Sequence, residues 1–163
     1  MNNHSAVSAL QTTLSLSPST AHKGTIAACL SYRSHPLPTD NKSPENLAED
    51  EKFFLDEAMK GSGEWYGKLM ADHTSLDWRD SIAASFGPGS GSKTTVLVIA
   101  STRSGCFPAE GPLKVAEFIN QNEGEYGLAQ GIAVSWGGHW CYWEDPEKFN
   151  KLCARFFNDG CVE

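Results

Sequence analysis

The run Thr94-Thr-Val-Leu-Val-Ile-Ala100, entered from the glycine-rich stretch Phe86 to Ser92, constrains this chain more than any other segment. An unbroken row of β-branched and aliphatic side chains suits a strand covered on both faces, the usual situation in a parallel sheet. A second apolar run, Gly131 to Trp136, predicts another strand. Between them Pro112 to Asn120 predicts a helix through Leu113, Val115, Ala116, Phe118 and Ile119. Strand, helix and strand in succession make the crossover unit that parallel pairing requires. Beyond the second strand, Asp145-Pro146 supplies N-cap and first-turn residues for an amphipathic helix to Phe157 that carries Phe149, Leu152, Cys153, Phe156 and Phe157.

The front of the chain extends the same alternation. Val7, Leu10, Leu14 and Leu16 fall near helical spacing between Ser5 and Ser17, and Pro18-Ser19 ends that pattern. The apolar run within Gly24 to Leu30 predicts a buried parallel strand. His35 to Glu49 turns polar and reads as a surface linker, after which Asp50 to Met59 resumes helical spacing through Phe53, Phe54, Leu55 and Met59. The expected fold is α/β, a parallel sheet with helices forming a single domain over 1–163, with 32–75 as a lid or linker segment.

Charge narrows the partners. Thirteen basic against 20 acidic residues give a net charge of -7, which disfavours nucleic acid and anionic membrane surfaces. No apolar run approaches the roughly 20 residues of a membrane span, and Met1 to Gln11 lacks a signal peptide's pattern, so a soluble intracellular protein is expected. The five cysteines Cys29, Cys106, Cys141, Cys153 and Cys161 are an odd set without C-x-x-C spacing. They read as reduced core thiols, with neither a disulfide framework nor a zinc site indicated, and no cofactor is expected.

Ligands of open parallel sheets bind beyond the carboxyl ends of the strands, which directs attention to the loops after Leu30, Ala100 and Trp136. The last of these reads Gly137-Gly138-His139-Trp140. An imidazole held at a strand end is suited to general-base work near neutral pH, and a structural histidine among aromatics is the alternative. Trp136, Trp140 and Trp143 could line an acyl pocket there or simply pack in the core. Gly87 to Thr94 nearly matches a phosphate loop, but Ser92 replaces its glycine and the stretch precedes a strand instead of following one, so it reads as a connection.

Thr95-Val96-Leu97-Val98-Ile99, a loop reaching Pro108, Gly138-His139-Trp140 and a Phe-rich terminal helix together resemble the end of an α/β-hydrolase. Asp77-Trp78-Arg79 with Ile82 is similar to the D-x-R…I element before that family's penultimate strand, so the resemblance spans about residues 77 to 157, half the chain. Arg103-Ser104-Gly105-Cys106-Phe107-Pro108 and Ser135 to Asp145 further resemble abhydrolase proteins of the Alternaria host-selective toxin clusters. That resemblance implies secondary metabolism, a small-molecule ester, thioester or related acyl substrate, and peroxisomal residence, although Gly160-Cys161-Val162-Glu163 is not an S-K-L address.

By the same resemblance His139 is the triad base and Ser5, in Asn3-His4-Ser5-Ala6-Val7, stands nearest to a nucleophile elbow. Asn3 and Val7 replace the elbow's glycines, and an ordinary helix N-cap is the alternative for Ser5. Ser104 occupies the place of the expected aspartate; Asp72, Asp77 and Asp80 are acidic alternatives, and Glu110 suits a helix N-terminus. An elbow at Ser5 would put the early strands and the oxyanion loop before Met1, so a domain truncated at its N-terminus is expected. Two functions follow: an acyl-handling serine hydrolase with Ser5 and His139 as its catalytic pair, or a catalytically silent paralogue that binds a ligand, a second copy of itself or a complete homologue.

Overall fold

The structure, a computed structural model, describes residues 17–30, 44–86, 93–121 and 129–162. It is mixed α/β, and the chain divides into two compact units, one of residues 1–28 and 32–77, the other of residues 29–31 and 78–163. The helix expected from Ser5 lies outside the described residues up to Ser17, as do residues 87–92 of the glycine-rich stretch.

The described part of the first unit is helical: α1 (Pro18–Cys29, whose last residue belongs to the second unit), α2 (Pro44–Ala58) and α3 (Gly63–Ser75). The strand expected over Gly24 to Leu30 is therefore corrected to helix. Pro18 does not merely stop a preceding pattern; it opens α1, where its fixed φ suits the first turn and its missing N–H costs nothing. The Ser17 carbonyl receives the N–H groups of Thr20 and Ala21, both at 3.1 Å. A short apolar run has no period that separates strand from buried helix, and Ala27-Ala28 favours the helix. Helix α2 begins within the expected linker. Helix α3 has Ser62 as N-cap, accepting the Trp65 N–H, and the His22 and Tyr66 rings lie with centroids 5.1 Å apart.

The second unit contains α4 (Arg79–Phe86), β1 (Val96–Ser101), α5 (Glu110–Asn120), β2 (Ala129–Val134), α6 (Cys141–Glu144) and α7 (Pro146–Asp159). Strands β1 and β2 form a parallel two-stranded sheet, in register from Val96 with Ala129 to Ser101 with Val134. The expected strand, helix and strand are all present, with β2 starting before Gly131 and ending before Ser135. Helix α5 packs across both strands, and Ala116, Ile119 and Ala129 form a buried cluster walled by Ile82, Phe86, Val96, Val98 and Val115. Asn120 seals the corner: its side-chain amide donates to the Ala129 carbonyl at 2.7 Å while its side-chain oxygen accepts the Ala129 N–H at 3.0 Å. Helix α7 starts at Pro146 and ends at Gly160, whose φ of 70° is the left-handed conformation that terminates helices and favours glycine. Gln130 then holds the outgoing chain, accepting the Val162 N–H at 3.1 Å and donating to the Gly160 carbonyl.

Candidate functional site

Parallel pairing delivers the carboxyl ends of β1 and β2 side by side, since Ser101 and Val134 are register partners. The two following loops are stitched together at once. Thr102 N–H donates to the Val134 carbonyl at 2.9 Å, and the Ser101 hydroxyl donates to the Gly137 carbonyl at 2.7 Å while accepting the Arg103 N–H at 3.1 Å. Gly137 has φ of 61°, and a Cβ there would sit 2.6 Å from both Cα and Cβ of Cys141, so the turn has room for glycine alone. Gly138 N–H is received by the Glu144 carboxylate, which is 3% exposed. This turn, braced from behind by α6, holds His139 at the strand ends.

Ser104 faces it. The Ser104 hydroxyl oxygen lies 3.3 Å from Nδ1 of His139 and accepts the N–H groups of Cys106 at 3.3 Å and Phe107 at 3.2 Å. With these two N–H groups on its oxygen, the hydroxyl can donate to Nδ1 when the ring proton sits on Nε2, or accept from Nδ1–H in the other tautomer. The Phe107 ring lies 5.7 Å from the imidazole, centroid to centroid. His139 is exposed, with part of its ring covered, and that partial burial holds its pKa below the ordinary value.

Two thiols complete the cluster. Cys29 and Cys106 place their sulfurs 3.4 Å apart, and these atoms and a ring nitrogen of His139 all lie within 4.8 Å of one another. Trp140 N–H donates to the Cys29 carbonyl at 3.2 Å, tying the residue after His139 to the Cys29 segment. The Cys29 thiol is pushed far up, first by its hydrogen bond to Cys106, then by burial and by the negative charge of Glu144; the same hydrogen bond lowers the Cys106 thiol. Burial raises the Cys141 thiol.

A cleft of about 80 Å³ opens on this arrangement, walled by Ile99, Ser104, Phe107, Ala109, His139 and Cys141 among others. The tryptophans expected to line it are absent from its walls. A larger depression of about 430 Å³ lies between α4 and α5, away from the imidazole. Its size reflects an open groove rather than converging chemistry.

Of the catalytic residues expected, the structure places His139 as described, whereas Ser5 lies outside the described residues. Asp72, Asp77 and Asp80 are exposed, and Glu110 stands in the first turn of α5. Sequence reasoning missed the convergence of Cys29 and Cys106 on His139 and the burial of Glu144. No spacing rule reaches the two cysteines, which are 77 positions apart. Among the described residues no helix is long and apolar enough to cross a membrane. No protein-family model, curated protein or solved structure matches the chain.

Proposed function

We propose that the second unit carries the base end of an α/β-hydrolase-like site that handles an acyl ester or thioester, with His139 accepting the proton of a nucleophile such as Ser5. The supporting observation is the 3.3 Å approach of Ser104 to Nδ1 of His139. These residues occupy the acid and base positions that the family resemblance implies, on loops after adjoining parallel strands. On the resemblance of Arg103 to Pro108 and Ser135 to Asp145 to the toxin-cluster abhydrolase proteins, the acyl group belongs to fungal secondary metabolism.

One observation favours a second reading, a ligand-binding protein without turnover. The group beside Nδ1 of His139 is a hydroxyl, and a hydroxyl does not stabilise an imidazolium as a carboxylate does.

Hydrolysis of short-chain nitrophenyl esters and acyl thioesters by the full chain separates the two. Under the first reading His139→Ala lowers turnover by a factor of about 10² to 10⁴ with an unchanged far-UV circular dichroism spectrum, and a serine-directed phosphonate labels Ser5 stoichiometrically. Retained activity in His139→Ala overturns the base assignment. No turnover and no labelling of the folded protein establish the silent binder.

A further inference from the structure

We infer that Cys29, Cys106 and His139 form a binding site for one zinc ion, with a fourth coordination position left to water or an incoming ligand. Two sulfurs and an imidazole nitrogen are a donor set that suits zinc, and three protein ligands with an open position are the pattern of reactive rather than purely structural zinc sites. The atoms are close to the distances needed. Zinc–sulfur bonds of about 2.3 Å in tetrahedral geometry put two sulfurs roughly 3.8 Å apart and a sulfur and an imidazole nitrogen roughly 3.5 Å apart. The two sulfurs stand at 3.4 Å, and all three donor atoms lie within 4.8 Å of one another. Shifts of a few tenths of an ångström at sulfur and about an ångström at the ring close the site.

The scaffold around the donors is already joined. Trp140 N–H on the Cys29 carbonyl fixes the His139 loop to the Cys29 segment, and Ser104 holds both the Cys106 N–H and the His139 ring. The three ligand-bearing segments are thus hydrogen-bonded to one another, the kind of outer support that orients metal ligands. On binding, each thiol gives one proton to solvent, the imidazole binds as the neutral ring, and no electron is transferred. All five cysteines are free thiols in this structure.

The site stands on the position of His139 and does not need the acyl reading. Where both hold, the ion occupies the imidazole that would serve as base, so zinc suppresses ester turnover; that consequence alone rests on the proposed function.

The test uses the full chain, purified under reductant without chelator and dialysed against Zn²⁺. The expected result is about one bound zinc per chain, with Cys106 alkylated more slowly with zinc than without it, as mapped by mass spectrometry. Co²⁺ in its place gives a thiolate-to-metal charge-transfer band. Cys106→Ser and His139→Gln lower zinc affinity at least about tenfold, while Cys161→Ser, at an exposed thiol, leaves it unchanged. Alkylation mapping of the unmutated chain keeps the test intact should a variant fail to fold. Zinc that binds without slowing alkylation of Cys106, binding undiminished in folded His139→Gln, or a Cys29–Cys106 disulfide that persists under reductant overturns the inference. None of these readouts involves an acyl substrate, so failure of the hydrolase reading is distinguishable from failure of the metal site.

Discussion

The two units draw on different interactions. In the first, the described ion pairs are local: Lys52 with Asp56, Lys60 with Glu57 and Lys68 with Glu64, each within one helix turn and exposed on both sides. Large apolar side chains remain in water in both units, Trp65 at 72% and Leu69 at 66% exposure in the first and Phe157 at 80% in the second. The second unit is held by bonds between distant segments: the β1–β2 register, Ser101 to Gly137, Asn120 to Ala129 and Gln130 to the chain after α7. Exposed i,i+4 pairs contribute about 0.3 to 0.5 kcal/mol each at best, whereas a core apolar side chain is worth several times that. The difference teaches where precision resides. A site needing atoms placed to within a fraction of an ångström sits in the unit whose segments cross-brace one another.

Truncating one apolar side chain in each unit gives the sharpest break of this comparison. Ile119 is 2% exposed, and Ile119→Ala should cost about 2 to 5 kcal/mol in urea unfolding. Trp65→Ala, at a 72% exposed position, should stay within about 0.5 kcal/mol. Equal losses would show that exposure does not rank these positions; Ile26→Ala, at a 3% exposed position of the first unit, should cost as much as Ile119→Ala.

Next in size, two glycines of the second unit separate backbone strain from steric conflict. Gly137→Ala meets both a positive φ and Cys141 at 2.6 Å, and should cost about 1 to 3 kcal/mol while displacing His139. Gly160→Ala meets only the positive φ with open space around it, and should cost about 1 kcal/mol. Thermal unfolding of the two variants should rank them in that order; the reverse order would mean that α6 yields easily and the His139 turn is not braced.

The smallest effect is a pH dependence. The folded pKa of His139 is lowered by burial, so between that value and the ordinary histidine pKa the unfolded chain binds more protons than the folded one. Its contribution is present above the ordinary value and is lost as pH falls through that window. His139→Gln should therefore flatten the acid side of the stability curve, as read from urea midpoints across pH. An unchanged slope would mean that the exposed face of the ring solvates the imidazolium as well as the unfolded chain does.

Much of the second unit was legible in the chain itself. Thr94 to Ala100 is too β-branched and too uniformly apolar for much besides a covered strand, and Pro112 to Asn120 and Pro146 to Phe157 carry helical periods long enough to read. Gly24 to Leu30 misled because a short apolar run fits either element, and the decision lay with Pro18 as a helix opener. Glu144 gave no hint of burial, since nothing in Cys-Tyr-Trp-Glu announces that its carboxylate will accept the Gly138 N–H.

The sequence by itself therefore determined the α/β class of the second unit, the strand–helix–strand order, and His139 as a titratable group just after a strand. These follow from periodicity and residue type, which act over a few neighbours. Tertiary structure alone decided that Ser104 meets Nδ1 of His139, that Cys106 and Cys29 lie sulfur to sulfur beside it, and that Glu144 is buried behind the turn. Those contacts join positions far apart in the chain, and what brings them together is the parallel register of β1 and β2 with the close turn at Gly137, neither of which any local spacing encodes.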